Sequence, residues 1–328
     1  MLYVDSPIGT GFSFSNTKSD YTKWNDTMTV NENMKFILKW FEKFPKYRNS
    51  DFYLAGDGSP GHLIPRLASL VLEYNKNNGM PIKLKGIALG NPGSGIPGTD
   101  SAGYLWYHGV ISQELHTMLK TVCSYEKLFY EGHHGNYTKD CQIVSHVMDE
   151  EMGEDFDMDD LISPKCAPSS LGSENAIGYP CLSENTFAYL NKQDVQKAFH
   201  VKRTPLPYHW DTCHGPVKFK EDAYTTKNFH TLATLLKRHI PIMFYSGDQD
   251  ASIPVVETRT FARMLVKHLK LDYLQKNRPW HNGLQVGGWR ETFGKLREKN
   301  NVTYLTFASV KGGSHFVPTT SPSQALTL

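Results

Sequence analysis

The sequence predicts an α/β fold, in which a sheet is flanked by helices and carries a mostly helical insertion. Strand and helix patterns alternate from residue 1 to about residue 105, and the alternation returns from about Asn228. Between about residues 105 and 215 the strand pattern fades, and this stretch holds all five cysteines. We therefore expect a core formed by residues 1–105 and 216–328, with residues 106–215 as a lid that carries disulfides.

The first core segment reads as alternating strands and helices. Its predicted elements are, in order, a strand over residues 2–5, a helix over 28–44, a strand over 52–55, a helix over 61–76 and a strand over 83–89. The first helix is predicted because Met34, Ile37 and Phe41 share a helical face, and Pro45 ends it.

A sharp turn is predicted between the strand over residues 52–55 and the helix over residues 61–76. It reads Gly56-Asp57-Gly58-Ser59-Pro60-Gly61, a glycine-rich corner between an apolar run and a helical pattern. This arrangement is typical of a nucleophile elbow, in which Gly-x-Ser-x-Gly holds a serine hydroxyl clear of the sheet. The nucleophile position falls on Gly58, which has no side chain, and the only hydroxyl nearby belongs to Ser59.

Two later strands each deliver polar residues to a loop. The apolar run over residues 240–245 leads to Asp248 and Asp250, and the alternating run over residues 302–310 leads to His315. A histidine after one strand means little alone. The order of elbow, acid and histidine along the chain is, however, the order found in α/β-hydrolases.

From end to end the chain resembles the plant serine carboxypeptidase-like family, whose fold is that of the α/β-hydrolases. The matching stretches are residues 2–15, 40–47, 86–92, 108–112, 194–200, 245–250, 285–289 and 313–315. The resemblance implies that Asp250, rather than Asp248, is the triad acid and that His315 is the general base. The Ser59 N–H occupies the oxyanion-hole position that follows the nucleophile.

The resemblance also gives Asp57 a role in substrate binding. It implies that a protonated Asp57 hydrogen-bonds the C-terminal carboxylate of a peptide, as suits an enzyme that works at low pH. A solvated turn acid of ordinary pKa is the alternative.

The chain departs from the family in two places. The family elbow reads Gly-Glu-Ser-Tyr-Ala-Gly-His in carboxypeptidases and Gly-Asp-Ser-Tyr-Ser-Gly in related acyltransferases, so Gly58 stands where serine belongs. The family also has an N-terminal portion with Asn-Gly-Gly-Pro-Gly-Cys-Ser-Ser, which supplies the other oxyanion amide. That string does not occur here, and we expect the chain to be truncated at its N-terminus.

Ser59 is not expected to replace the missing nucleophile. Its Cα is displaced by about 3.8 Å along the chain, and a misplacement of about 1 Å already costs roughly a hundredfold in rate. Pro60 also biases Ser59 toward an extended backbone.

The cysteines and sequons favour a secretory protein. The resemblance pairs Cys123 with Cys141 and Cys166 with Cys181, and it pairs Cys213 with a cysteine outside this chain. Five reduced cysteines in a cytosolic protein are the alternative. Glycosylation sequons begin at Asn25, Asn136 and Asn301. We expect an extracellular or vacuolar location, with no signal peptide in this chain.

Composition excludes several partners. The net charge of +2 gives no reason to expect nucleic acid, and no apolar run approaches the roughly 20 residues of a membrane span. No paired Cys-x-x-Cys or His-x-x-x-His motif indicates a metal, and we expect no cofactor.

The run over residues 149–160, with eight acidic residues, is predicted to be a solvated loop. The expected partners are peptide C-termini or acyl esters, and dimer formation is left open.

Three interpretations remain. In the first, the serine carboxypeptidase-like fold persists without its chemistry, and the chain binds peptides or acts as a companion subunit. In the second, the protein is a working carboxypeptidase, Gly58 is an error in the sequence and the N-terminal portion is missing from it. In the third, it is an acyltransferase that moves an acyl group from a glucose ester to an alcohol.

Overall fold

A computed structural model describes residues 1–93, 101–164, 166, 181–201, 208–212, 215–218, 227–296 and 301–328. The helices are α1 Asp20–Lys23, α2 Asp26–Lys43, α3 Pro60–Lys76, α4 Ser101–Tyr107, α5 Gln113–Thr121, α6 Tyr125–His134, α7 Lys139–Met152, α8 Leu182–Leu190, α9 Gln193–Ala198, α10 Lys227–Lys237, α11 Val255–Leu269, α12 Val317–Thr320 and α13 Pro322–Thr327. A short 3₁₀ helix covers Pro45–Tyr47. The strands are β1 Phe52–Asp57, β2 Leu84–Gly90, β3 Ile242–Gly247, β4 Asp272–Asn282, β5 Gln285–Lys295 and β6 Val302–Val310.

The chain divides into two compact units. One comprises Met1–Asn49 with Ser163–Ala223, and the other comprises Ser50–Ile162 with Tyr224–Leu328. Helices α4 to α7 belong to the same unit as the sheet. The domain limits near residues 105 and 216 stay a prediction.

The second unit contains a six-stranded mixed sheet of order β1-β2-β3-β6-β5-β4. Strands β1, β2, β3 and β6 are parallel, whereas β5 and β4 continue the sheet in antiparallel fashion. The four parallel strands therefore end at one edge, and the loops that follow them meet there. This edge carries the three sequence segments that predict a catalytic site.

Two helices pack on the sheet, and a third packs against both of them. Helix α3 contacts β1 and β2, α11 contacts β3 and β6, and α10 contacts both helices. Leu89, Phe244 and Leu305 of the strands are fully buried, as are Leu232 and Leu265 of the helices. Burial of each such side chain stabilises the fold by roughly 1.5–3 kcal/mol before entropy is counted.

Helices α4 to α7 surround a second apolar cluster in the same unit. Leu105, Leu115 and Val144 are fully buried there, together with the sulfur atoms of Cys123 and Cys141. Ala251, which follows Asp250 in the chain, belongs to this cluster. The packing of these helices therefore reaches the loop that carries the predicted catalytic acid.

The first unit contains α1, α2, α8 and α9. Helix α2 begins after Asn25, whose side-chain oxygen accepts a hydrogen bond from the Met28 N–H (2.9 Å), as an N-cap does. Its buried residues Val30, Met34 and Ile37 recur at helical spacing.

The predicted α/β fold is confirmed, with two local corrections. Residues 2–5 form no strand; Leu2 and Tyr3 are exposed, and no neighbouring strand pairs with them in the part of the chain that the structure describes. The acidic run over residues 149–160 is not all loop, since residues 149–152 complete α7.

No helix among the described residues is both long enough and apolar enough to cross a membrane.

Candidate active site

The turn between β1 and α3 has the geometry of a nucleophile elbow. Gly58 has φ +68°, a left-handed conformation that glycine adopts at little cost. Its N–H donates to the Gly90 carbonyl (2.9 Å), and its own carbonyl accepts from the N–H groups of Gly61 (2.9 Å) and Gly93 (3.0 Å). The turn is therefore fixed to the end of β2.

His315 lies directly opposite Gly58. A Cβ placed on Gly58 would lie 2.6 Å from His315 Nε2 and 3.4 Å from His315 Cε1. The position from which a nucleophile side chain would start therefore faces the ring nitrogen that serves as general base in a catalytic triad.

Asp250 completes the pair. It is fully buried, and its Oδ2 lies 2.8 Å from His315 Nδ1. Its Oδ1 accepts from the Ile253 N–H (2.9 Å). The structure thus brings Asp250, His315 and Gly58 together in the arrangement that the elbow, acid and histidine order predicts.

Asp248 shapes the loops around this pair without contacting the histidine through a hydrogen bond. Its N–H donates to the Val310 carbonyl (3.1 Å), and its Oδ1 accepts from the Gly312 N–H (2.7 Å). These bonds join the end of β3 to the loop that carries His315. Asp250, rather than Asp248, forms the hydrogen bond with His315.

Sequence reasoning did not single out Asn91, which holds Asp250 in place. Asn91 is fully buried, with φ +35°, at the end of β2. Its side-chain amide donates to Asp250 Oδ2 (2.5 Å) and Ser246 Oγ (3.1 Å), while its Oδ1 accepts from the Gly247 N–H (3.1 Å). Asn91 lies within one of the stretches that match the family, which was the only signal for it.

A second acid that sequence reasoning missed lies beside His315. The carbonyl of Asp159 accepts from the His315 N–H (2.8 Å), and its carboxylate accepts from the Ser252 hydroxyl (2.6 Å). Asp159 belongs to the acidic run that was predicted to be a solvated loop. It is half-buried because the segment after α7 folds back onto the loops after β3 and β6.

The surrounding carboxylates favour the protonated form of His315. Burial lowers the pKa of His315, but the hydrogen bond and negative charge of Asp250, together with the charges of Asp159 and Asp57, outweigh the effect of burial. The net result is a pKa above the ordinary histidine value. Burial raises the pKa of Asp250, while the hydrogen bond with His315 opposes that rise.

Asp57 and Tyr245 form a second polar pair at this edge. The Tyr245 hydroxyl donates to Asp57 Oδ1 (2.7 Å), although the two residues lie on strands separated by β2. Gly90 of β2 is the register partner of both, and a Cβ there would run into the Asp57 carboxylate and the Tyr245 ring. Glycine at position 90 therefore permits the contact.

The Asp57 carboxyl is easier to protonate than an exposed one. Burial raises its pKa, whereas the Tyr245 hydrogen bond and the nearby His315 lower it by less.

The pKa of Glu257, in the first turn of α11, is also raised. Burial is the main cause, followed by the charge of Asp250, and the pKa reaches about 7. Sequence reasoning had no signal for Glu257.

Ser59 does not have the backbone that was predicted from Pro60. It is helical, with φ −54° and ψ −36°, and it is the N-cap of α3. The proline ring fits the first position of a helix, so the start of α3 overrides the local preference for an extended backbone. The side chain of Ser59 is exposed, whereas His315 is buried.

Two groups of residues place possible metal ligands close together. Ligand atoms of Asp159, Asp250 and His315 lie within 4.8 Å of one another, as do those of Cys166, Cys181 and Glu184. Both cysteines of the second group form a disulfide, which removes the thiolates that a metal needs. In the first group, Asp250 Oδ2 and His315 Nδ1 share a hydrogen bond, so these two ligand atoms already have a partner.

The two disulfides implied by the family resemblance are present. The Cα atoms are 5.1 Å apart for Cys123 and Cys141 and 4.7 Å apart for Cys166 and Cys181. The prediction for Cys213 lies outside the described residues. Among the sequon asparagines, Asn136 and Asn301 are exposed, whereas the half-buried Asn25 caps α2; glycosylation at all three stays a prediction.

Comparison with known proteins agrees with this geometry. The serine carboxypeptidase family profile matches residues 1–328. Serine carboxypeptidase-like 46 of Arabidopsis thaliana is 34% identical over 341 residues, covering 100% of this chain and 71% of that protein. Serine carboxypeptidase-like 44 of the same plant is 36% identical over 345 residues, covering 100% of this chain and 69% of that protein.

A solved structure shows the same fold. The crystal structure of Kex1(delta)p, a prohormone-processing carboxypeptidase from Saccharomyces cerevisiae, matches with a TM-score of 0.63 at 20% identity, covering 98% of this chain and 71% of that one. At this identity the likeness concerns the fold alone. The profile and the plant relatives decide the family, and the chain belongs to the serine carboxypeptidase family.

Proposed function

We propose that this protein binds peptide C-termini in the carboxypeptidase site without forming an acyl-enzyme. One observation carries the proposal: the residue that faces His315 Nε2 is Gly58, and the place of its absent side chain begins 2.6 Å from that nitrogen. The base and its acid partner are therefore in position, but no hydroxyl is attached where the nucleophile belongs.

The chemical consequence of Gly58 is large. In a serine protease the base accepts the proton of the serine hydroxyl as that oxygen attacks the scissile carbonyl. Removal of a triad member leaves only about 10³–10⁴-fold catalysis over water, which comes from substrate binding and oxyanion stabilisation. Peptide hydrolysis depends on the acyl-enzyme route, so its rate falls most when the nucleophile is absent.

Ser59 does not supply a substitute hydroxyl in this proposal. It follows Gly58 at the start of α3, and its side chain is exposed while the imidazole is buried. Its position is held by the start of the helix, where the Gly61 N–H donates to the Gly58 carbonyl and the His62 N–H donates to the Ser59 carbonyl.

Asp57 supports recognition of a peptide carboxylate. A carboxylic acid can donate a hydrogen bond to another carboxylate only while it is protonated, and the raised pKa of Asp57 keeps it protonated to a higher pH than an exposed Asp. We therefore expect binding to strengthen as the pH falls. The acidic lumen of a vacuole, or an acidic extracellular space, would suit this behaviour.

The proposal is tested by calorimetry with an N-blocked dipeptide. The free C-terminal carboxylate should bind at acidic pH, and the same dipeptide with a C-terminal amide should bind at least about tenfold more weakly, since a hydrogen bond to a charged group contributes roughly 1.5–3 kcal/mol. Chromatography of the same samples should find no release of the C-terminal amino acid.

Two variants of Asp57 sharpen the test. Asp57→Ala should weaken carboxylate binding by a similar factor. Asp57→Asn keeps a donor that does not titrate, so its binding should lose the dependence on acid. Equal affinity for the carboxylate and the amide, or unchanged binding by Asp57→Ala, would show that the site does not recognise C-termini in this way.

The remaining alternatives each have a direct test. An acyltransferase would transfer an acyl group from a glucose ester to an alcohol, and a companion subunit would copurify with an intact family member. Neither has a specific observation in its favour within the described residues.

A further inference from the structure

The Nε2 atom of His315 makes no hydrogen bond among the described residues. His315 is 9% exposed, and its Nδ1 is bonded to Asp250, so the imidazole is held with Nε2 directed at Gly58. In a serine hydrolase this atom would bond to the serine hydroxyl. Here it faces a residue that has no side chain.

The Ser59 N–H also lacks an acceptor within the described ranges. It lies at the N-terminus of α3, a helix of 17 residues, where the helix dipole favours negative charge. The neighbouring Gly58 N–H is already bonded to the Gly90 carbonyl. The Ser59 N–H is therefore the donor that remains for a developing oxyanion on a substrate.

Gly58 has no side chain, so a water molecule rather than a serine hydroxyl would be the group that bonds to Nε2. A Cβ on Gly58 would be closer to Nε2 than a real Cβ approaches, which shows how near the ring lies to the elbow. A water molecule with its oxygen about 2.8 Å from Nε2 would donate to that nitrogen the hydrogen bond that a serine hydroxyl donates in a complete triad.

We propose that His315 activates a water molecule directly, so that this protein hydrolyses activated carboxylic esters without an acyl-enzyme. The inference rests on one part of the proposed function, namely that Gly58 excludes an acyl-enzyme at this position. It adds an activity to a site for which we otherwise propose only binding.

The reaction balances without a co-reactant. The water oxygen forms a bond to the ester carbonyl carbon while its proton moves to Nε2, and the resulting imidazolium is stabilised by Asp250. The carbonyl oxygen becomes an oxyanion that accepts from the Ser59 N–H. The intermediate then expels the alkoxide or phenoxide, which takes the proton from Nε2, and the products are a carboxylic acid and an alcohol or phenol.

The substrate class follows from the weakness of this chemistry. Water delivered by one base is a poorer catalyst than a complete triad, and an amide needs its leaving nitrogen protonated as the bond breaks. A nitrophenyl ester releases a stable phenoxide. Activated esters are therefore the substrates for which acceleration by a single general base, about 10²–10⁴-fold, is measurable.

The pH dependence has a defined sign. The base must be neutral to accept a proton, and the carboxylates that face His315 are those of Asp250, Asp159 and Asp57, which together raise its pKa against the effect of burial. The rate should therefore be low at acidic pH and rise with a midpoint above the ordinary histidine pKa of about 6.5.

The test is hydrolysis of p-nitrophenyl acetate by the full chain, followed by absorbance. We expect a rate that His315→Gln lowers roughly tenfold or more, consistent with the contribution of a general base. Gly58→Ala should lower it similarly, because the added methyl group would collide with His315 Nε2 and leave no place for the water. His146→Gln is the matched control, since His146 lies on the surface of α7 with its side chain 75% exposed, and it should leave the rate unchanged.

Preincubation with a fluorophosphonate separates the inference from the proposed function. An unchanged rate, with no initial burst of nitrophenol, supports direct attack by water. A wild-type rate equal to that of His315→Gln overturns the inference alone. Loss of the rate on fluorophosphonate treatment would overturn both proposals, because it would reveal a serine nucleophile. Circular dichroism of each variant checks folding, and His315→Gln keeps the test decisive if Gly58→Ala does not fold.

Discussion

Substitution of Asn91 by glycine tests whether this residue fixes Asp250, the hydrogen-bond partner of His315. Asn91 joins the end of β2 to Asp250, Ser246 and Gly247 through three side-chain hydrogen bonds. Glycine is the informative replacement because Asn91 has φ +35°, where other residues would add backbone strain. The change therefore removes the side chain with little disturbance of the backbone itself.

The expected loss is large for a single substitution. A hydrogen bond to a charged group contributes roughly 1.5–3 kcal/mol, and each of the two neutral bonds contributes roughly 0.5–1.5 kcal/mol. The buried Asp250 carboxylate and Gly247 N–H would both lose a partner. We expect the free energy of unfolding to fall by about 3–5 kcal/mol.

The assay is urea unfolding followed by tryptophan fluorescence. Lys270→Gly is the matched control, because Lys270 also has positive φ (51°), is exposed, and has no hydrogen bond from its side chain in the described structure. It should leave the stability unchanged or slightly higher. A loss below about 1 kcal/mol for Asn91→Gly would refute the view that Asn91 holds Asp250 in place.

Three further predictions concern other contacts of the same unit. Gly90→Ala should destabilise the fold by about 1–3 kcal/mol in urea unfolding, because its methyl group would collide with the Asp57 carboxylate and the Tyr245 ring; unchanged stability would mean that the pair can move apart freely. Tyr245→Phe removes a hydrogen bond that lowers the Asp57 pKa, so calorimetry should show carboxylate binding that persists to higher pH. If the pH limit of binding moved down instead, the Tyr245 hydrogen bond would not be lowering the Asp57 pKa. Replacing Cys123 and Cys141 by alanine should lower the free energy of unfolding by about 3 kcal/mol at 25 °C, since the disulfide closes a loop with a sequence separation of 18. An unchanged melting temperature would argue against a structural role for this disulfide.

The sequence predicted the local features of the sheet and its elbow. The alternating run over residues 302–310 became β6, and the helical pattern after the glycine-rich corner became α3. These elements could be predicted from the sequence because hydrophobic periodicity and turn residues determine structure over short stretches of chain. The order of Gly58, Asp250 and His315 was sufficient to group them, since parallel strands bring their carboxyl ends to one edge.

The residues that sequence reasoning missed depend on contacts between distant segments. Asp159 reaches His315 because the segment after α7 folds back onto the loops after β3 and β6, and its acidic neighbours suggested only a solvated loop. Asn91 contacts Asp250 across a separation of 159 residues. The contact of Tyr245 with Asp57 requires a glycine on the strand between them, which no pattern within one segment reveals.

The strand predicted over residues 2–5 failed for a related reason. Its apolar composition satisfies the local requirement for a strand, but a strand also needs a neighbour for its backbone N–H and C=O groups. Leu2 and Tyr3 are exposed, and the segment joins no ladder in the described part of the chain.

The central claim is that this member of the serine carboxypeptidase family has no nucleophile opposite His315. The most direct measurement is the intact mass of the purified chain after incubation with a fluorophosphonate at pH 5 and pH 7.5, with an active serine hydrolase as the positive control. We predict no added mass on this chain at either pH while the control is fully labelled. A stoichiometric adduct that peptide mapping places on Ser59 would contradict the claim and show that the neighbouring hydroxyl serves as the nucleophile.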